Sequence, residues 1–394
     1  MTPSAPGDFT PSGGNASGAG TLPAPELASV DEQFTAQAMW AVVFAGGIGS
    51  RFWPLSTPER PKPLLALVTG HSLLEDTVGR LQPLIQPERV LVVTSRDIAP
   101  AIRSAIREIP VQNVLVEPRP LGTAAALAWG AQEVARRAGP TTPVCAMHAD
   151  LAVAFPGAFR ESLSRAAVIA NRERALVALG VRPTRNEPSF GYLQLGDALD
   201  PDIPLAAGGA YQVTGFVEKP DEKRAAVLAG DGALWHSGII VGSAKTMLEK
   251  LARYTPEIEP GLYALTRGNL AAFGNRISSV SIERGLLERI NRFLVLLADV
   301  GWDDVGTWAS LRRARELDDD GNGALGPVHF VDSTGNVVHT EAGTVVLFGV
   351  SNLLVVNLQG LTFVTTLERA ADLKPMLDSL PGSMRIAPTR DPGK

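Results

Sequence analysis

The first strong pattern along the chain is an unbroken apolar run, Ala41–Ala45, that stops at Gly46 and Gly47. It is followed by a polar stretch punctuated by Pro54, Pro58, Pro61 and Pro63. A short apolar run bounded by glycines reads as a buried strand feeding a long loop. Apolar residues then recur at helical spacing over Ser72–Ile85, behind a serine cap, and Arg89–Thr94 reads as the next buried strand. The alternation continues with a helix over Asp97–Glu108, a strand over Val111–Val116, a helix over Thr123–Arg137 and a strand over Pro143–Ala149. A helix over Ala158–Asn171 and a strand over Ala175–Val181 follow. Strands and helices alternating at this interval predict right-handed crossovers and a mainly parallel α/β sheet. Ligands of such sheets gather beyond the carboxyl ends of the strands, which is where the first loop, Glu117 and Asp150 would lie.

The pattern loosens into Pro-, Gly- and Asp-rich text up to Tyr211, then returns as a strand over Phe293–Asp299 and a turn at Gly301 that starts a helix. From Gly321 the texture changes to five short β-type runs, beginning at Val328, Asn336, Thr344, Leu353 and Leu361, with a helical end over Ala370–Leu380. This divides the chain into a tail (1–37), an α/β unit (38–320) and a small β-rich unit (321–394). The tail is rich in Pro, Gly, Ser, Ala and Thr and has no Lys or Arg, so it reads as disordered rather than as a secretory or transit segment.

Composition narrows the function classes. A net charge of −5 leaves no basic field for nucleic acid or an anionic membrane, and no apolar run is long enough to span a bilayer. A single cysteine, Cys145, excludes an internal disulfide and reads as a core residue. A cytoplasmic protein acting on small molecules is expected.

The loop after Ala45 carries candidate chemistry. Gly46, Gly47 and Gly49 can turn successive backbone amides into one concavity, while Arg51 supplies a fork and Lys62 a point charge, a set suited to phosphate oxygens. Two familiar phosphate motifs fail: Phe52 stands where the dinucleotide fingerprint needs its third glycine, and no Gly-Lys-Ser/Thr follows to make a P-loop. A bare surface loop with two solvated cations is the ordinary alternative. Downstream, Asp150 ends a predicted strand, and Asp304 stands in a GWDDVG segment. Hard carboxylate oxygens at two strand ends suit Mg²⁺, although aspartate is also a favoured turn and cap residue.

Six ordered motifs carry a resemblance: GGxGxR…PKP, EPxxxxT, xAD, FxEKP, WxSG and GWxDVG. Together they resemble the nucleotide-sugar pyrophosphorylases, most of all the mannose-1-phosphate guanylyltransferase branch. The resemblance implies a Rossmann-like, GT-A-like catalytic fold with a partial left-handed β-helix after it, packed on the catalytic unit or across a homodimer. It implies GTP and mannose 1-phosphate as substrates and Mg²⁺ as cofactor. By matching positions, Arg51, Lys62 and Lys219 would be catalytic, and Gly46, Gly47, Gly49, Glu117, Gly122 and Thr123 would bind nucleotide. Gly191, Tyr192, Glu218 and His236 would bind sugar, and Asp150 and Asp304 would hold the metal. The chain departs from the pattern at Leu121-Gly122, where the family has Arg-Asn, and at His236, where it has Asn. A pyrophosphorylase of another base or sugar, and a non-catalytic relative that senses nucleotide-sugars, stay open at this point.

Overall fold

A computed structural model describes residues 38–381 except 48, 58, 206 and 207. The tail expected over 1–37 lies outside the described residues. At the centre is a nine-stranded sheet. Its strands are β1 (Trp40–Phe44), β2 (Val90–Ser95), β3 (Val114–Glu117), β4 (Pro143–His148), β6 (Val177–Val181), β7 (Gly191–Ala198), β8 (Ala210–Glu218), β9 (Leu234–Ser243) and β10 (Leu294–Leu297). They lie in the order β3-β2-β1-β4-β9-β6-β10-β8-β7. Two short strands, β5 (Leu151–Val153) and β11 (Trp302–Asp304), pair with each other beyond the end of β4.

The expectation of a mainly parallel sheet is corrected. The β3-β2-β1-β4 half is parallel, but β9 runs antiparallel to β4, β6 and β7, and β7–β8 form an antiparallel hairpin. A strand covered on both faces is apolar throughout whichever way it runs, so its hydrophobic pattern does not encode its direction. The parallel half has its switch point between β1 and β4, where chain order reverses and a crevice opens at the carboxyl ends.

Helices close both faces. Helix α1 (Leu73–Leu81) starts at a reciprocal capping box, with Ser72 Oγ accepting from the Glu75 amide and the Glu75 carboxylate accepting from the Ser72 amide. It buries Leu74, Val78 and Leu81 against one face of the sheet, where α2 (Ala99–Ala105) adds Ile102 and α4 (Pro156–Glu173) adds Phe159 and Leu163. On the other face α3 (Thr123–Ala138) lies so close to β1 that a Cβ on Gly130 would meet Val42 side-chain carbons at 2.5 Å. Its run of alanines permits that approach. Cys145 is a free, fully buried thiol in this core, its pKa pushed up to about 12 by burial.

The β-rich segment contains all five runs read from the sequence. β12 (Gly323–Leu325), β14 (Val337–Thr340) and β16 (Leu353–Leu358) stack in parallel, and β13 (Val328–Val331) stacks in parallel on β15 (Val345–Phe348). The chain thus coils, with Val337 beside Leu354 and Val328 beside Val345. Buried asparagines seal the turns: Asn322 Oδ1 accepts from the Asn336 amide, and Asn336 Oδ1 from the Leu353 amide, each at 2.9 Å. The last strand, β17 (Leu361–Thr366), reverses and pairs antiparallel with β16.

A third core joins this coil to the glycine loop. Phe52, Trp53 and Leu55 from the loop pack with Trp308, Val337, Leu354 and Phe363. Trp308 is fully buried, donates its indole N–H to Trp53 O at 3.0 Å and meets Phe52 edge-on. Truncating such an aromatic typically costs about 3–5 kcal/mol. Arg315 adds bonds to Leu67 O and Val338 O, and Arg60 pairs with Glu341 at 2.6 Å. The loop is therefore held from the coil side. No helix among the described residues is long and apolar enough to cross a membrane.

Candidate active site

Beyond β1, β3 and β4 the loop closes over a cavity of about 540 Å³ lined by Gly46, Gly47, Gly49, Arg51, Lys62, Glu117, Gly122, Thr123, Asp150 and Asp304, among others. Residues far apart in the chain converge here. Gly46 and Gly47 are exposed with open space above their Cα atoms. Gly49 differs: its φ of +76° and a collision of any Cβ with the Lys62 stem require glycine, so the turn and the lysine are packed as one unit. Arg51 is exposed and makes no ion pair among the described residues. Lys62 is buried, and its Nζ sits 2.6 Å from Asp150 Oδ2 and 5.6 Å from the Phe52 ring centroid.

Asp150 occupies the turn between β4 and β5, and Asp304 ends β11, where it is in register with Leu151. Burial works to raise Asp150, but Lys62 and His148 hold its carboxyl below the usual range. Asp304 goes the other way: burial, reinforced by Asp150 and Asp303, outweighs Lys62 and raises it. The ordinary reading of Asp304 as a helix cap is excluded, because the next helical turn is capped by Thr307. The donor set fits Mg²⁺. Lys62 pairs with Asp150 and acts on Asp304 only through its charge, so the two carboxylates outnumber the one buried lysine; no group of three or more His, Cys, Asp or Glu side chains able to hold a metal occurs among the described residues. Mg²⁺ typically takes one or two carboxylates and completes its shell with water and phosphate oxygens.

On another wall of the cavity, Glu117 is buried, and burial pushes its carboxyl up to about 7 against a hydrogen bond from the Leu121 amide. Gly122 has φ +84°, and a Cβ there would meet Val280 O at 2.5 Å, so the glycine of the Leu121-Gly122 departure is a packing requirement here. Thr123 Oγ1 accepts from the Ile282 amide at 2.9 Å.

A second cavity of about 660 Å³ shares Thr123, His148, Asp150 and Asp304 with the first and extends over Gly191, Glu218, Lys219, His236 and Glu283. Gly191 is opposite Glu218 in the β7–β8 ladder, and a Cβ on it would meet the Glu218 carboxylate at 2.9 Å. Lys219 has φ +50°, an uncommon conformation for a non-glycine residue, and its half-exposed Nζ lies 3.1 Å from Glu218. His236 is buried with Nδ1 unpartnered, and burial lowers its imidazole to about 4.

Tyr192 is corrected. It is fully buried in the core, its hydroxyl is taken by the Glu187 amide and carbonyl, and it does not line the cavity. Alternation along a strand sends Gly191 and Tyr192 to opposite faces, a signal already present in the sequence. One cavity-lining acid was not singled out in the sequence. Glu283 heads a π-helical turn (Glu283–Leu287) at the cavity wall, where His148 and His236 overcome burial and lower its carboxyl. Such turns are frequent at functional sites.

Residues 40–321 match the family described as nucleotidyl transferase. The chain is similar to the alginate biosynthesis protein AlgA of Pseudomonas putida, 32% identical over 358 residues covering 87% of this chain and 71% of that protein. It is similar to a mannose-1-phosphate guanylyltransferase of Klebsiella pneumoniae, 30% identical over 87% of this chain and 74% of that protein. A crystal structure from Thermus thermophilus, described as mannose-1-phosphate geranyltransferase, superposes with a TM-score of 0.77 at 33% identity, covering 86% of this chain and 98% of that one.

Proposed function

Because this chain belongs to the nucleotidyl transferase family, we propose that it transfers GMP from GTP to α-D-mannose 1-phosphate, giving GDP-mannose and pyrophosphate. The observation that carries this reading is the convergence of Arg51, Lys62, Asp150 and Asp304 on one cavity that opens directly into a second one lined by Lys219. Two anions that repel each other need cations on both sides of the junction. In the reaction an oxygen of the sugar phosphate forms a bond to the α-phosphorus of the triphosphate as the bond from that phosphorus to the bridging oxygen breaks in line. No covalent enzyme intermediate is required, so catalysis is positioning and charge stabilisation.

Arg51 and Lys62 would neutralise the triphosphate, and Lys219 the sugar phosphate. Asp150 and Asp304 would hold Mg²⁺, which when bound supplies neutralisation of the phosphate oxygens. Open glycine backbone at Gly46 and Gly47, with Glu117 at the far wall, would receive ribose and base. Glu218, His236 and Glu283 would take sugar hydroxyls. The names of the relatives supply GTP and mannose. A panel comparing pyrophosphate release from GTP and the other common triphosphates, each with mannose 1-phosphate and glucose 1-phosphate, tests the reading. Faster turnover with another pair replaces the substrates and leaves the transfer chemistry standing.

We take 38–320 as the catalytic unit and the coil after it as a partial left-handed β-helix. A homodimer is the assembly we assign, supported by the exposed Val331, Val346 and Phe348 on β13 and β15. Sedimentation velocity of wild type and Phe348→Lys checks it.

A further inference from the structure

Asp150 is carried by a short turn between two strands, with Lys62 as its side-chain partner. The carboxylate this turn presents must stay in place when the lysine turns to phosphate. The structure supplies a restraint from helix α1. Thr77, fully buried, donates its hydroxyl to Ala149 O at 3.0 Å. Arg80 donates Nη1 to Leu151 O at 2.7 Å and braces its own Nε on Asp76 O. The two residues are three apart on one helix face, so they act as a pair of prongs. They hold the carbonyls of the residues before and after Asp150, Ala149 and Leu151.

We propose that Thr77 and Arg80 are positioning residues for the Asp150 carboxylate, acting through the two backbone carbonyls that flank it. The proposal rests on the reading of Asp150 as a metal ligand. The ordinary role of such bonds is to satisfy buried carbonyls. Two further contacts set these apart. The Ala149 amide donates to Phe44 O at 3.0 Å, so with Thr77 on its carbonyl that residue is fixed in both directions, to β1 and to α1. Leu151 is registered opposite Asp304, so the carbonyl that Arg80 holds belongs to the residue that spaces one carboxylate from the other. A displacement of either prong therefore moves Asp150 relative to Asp304. Groups that orient metal ligands from behind typically change metal affinity or activity by about 10–100-fold when removed.

The test titrates the full-length chain with Mn²⁺ in the presence of GDP-mannose and follows the free-ion electron paramagnetic resonance signal. Half-saturating Mg²⁺ is measured alongside in the pyrophosphate-release assay. Thr77→Val and Arg80→Met are expected to weaken Mn²⁺ binding and raise half-saturating Mg²⁺ by about tenfold or more. Thr77→Ser, which keeps the hydroxyl, is expected to restore both. On an Asp150→Asn background, Thr77→Val should add nothing further. If Asp150→Asn loses Mn²⁺ while folded Thr77→Val and Arg80→Met bind it as wild type does, the metal reading survives and the positioning role is overturned. If Asp150→Asn itself keeps wild-type Mn²⁺ affinity, both fall together. Should Thr77→Val fail to fold, Arg80→Met and Thr77→Ser decide the matter.

Discussion

The two cavities share Asp150 and Asp304 but differ in what surrounds those carboxylates. The one under the glycine loop is assembled from charges already set against each other: Lys62 on Asp150, a raised Asp304 beside them, and an exposed Arg51 at the mouth. The one over β7, β8 and β9 shares Asp150 and Asp304 with it and adds Glu283, a glutamate–lysine pair and an imidazole nitrogen that is unpartnered among the described residues. The first suits binding that strengthens as charge develops on a transferring phosphoryl group, the second suits recognition of a neutral ring with hydroxyls. On the proposed function, the difference would weight rate towards the first cavity and sugar selectivity towards the second. Substitutions in the first should change kcat, and substitutions in the second should change sugar KM.

The largest effect should come from the carboxylates. Asp150→Asn and Asp304→Asn each remove charge that a divalent ion needs, and loss of several kcal/mol of transition-state stabilisation corresponds to a fall in kcat of about 10³-fold. Circular dichroism should show an intact fold. A near-normal rate in either variant removes that carboxylate from the mechanism. Lys62→Ala follows, with an expected loss of about 10²–10³-fold in kcat. A loss of tenfold or less would make Lys62 a partner of Asp150 only, and the contrast between the cavities would weaken at its centre.

On the sugar side, His236→Asn sharpens the comparison. Among the described residues the buried Nδ1 has no partner, which on the proposed function leaves it for a substrate hydroxyl, and a single hydrogen bond made or lost at such a site is worth about 1–2 kcal/mol. We expect the sugar-phosphate KM to rise about tenfold with kcat nearly unchanged. A variant that lowers kcat and leaves KM alone would show that the two cavities do not divide the work as argued.

The same contrast explains how much the sequence made legible. The phosphate side comes from contiguous text, a buried strand broken by glycines and followed by Arg51 and Lys62, and from two aspartates at strand ends. All of these met in one cavity, because topology brings the carboxyl ends of β1 and β4 together and the pairing of β11 with β5 sets Asp304 beside them. The sugar side depends on an antiparallel half of the sheet whose directions do not show in hydrophobic pattern, and on a π turn that resembles any solvated helix start. Glu283 was therefore invisible. Tyr192 was misplaced for a different reason: a motif match outweighed the two-residue period that sends it to the core. The β-rich runs were legible singly, but their stacking was not, since it rests on Asn322 and Asn336 bonding across turns. The third core, where Trp308 meets Phe52 and Trp53, depends on contacts between residues more than 250 apart and left no local signal.

The smallest expected effect lies where charge and selectivity meet, at Glu117. Burial raises its carboxyl from an ordinary 4.5 to about 7, so the folded chain keeps a proton that the unfolded chain releases between those values. Its contribution to stability is accordingly greatest below about 4.5 and falls as pH rises through about 7. Base recognition should run the other way. An ionised carboxylate accepts the N–H groups of a purine edge, whereas the protonated form offers a donor in their place. Between pH 6.5 and 7.5 the ionised fraction of a group titrating at about 7 grows about threefold, and kcat/KM for GTP should rise by that factor at saturating Mg²⁺. Glu117→Gln should flatten this limb of the profile. A limb that persists in Glu117→Gln would belong to the phosphate side, and the base would then be held by backbone groups of the glycine loop.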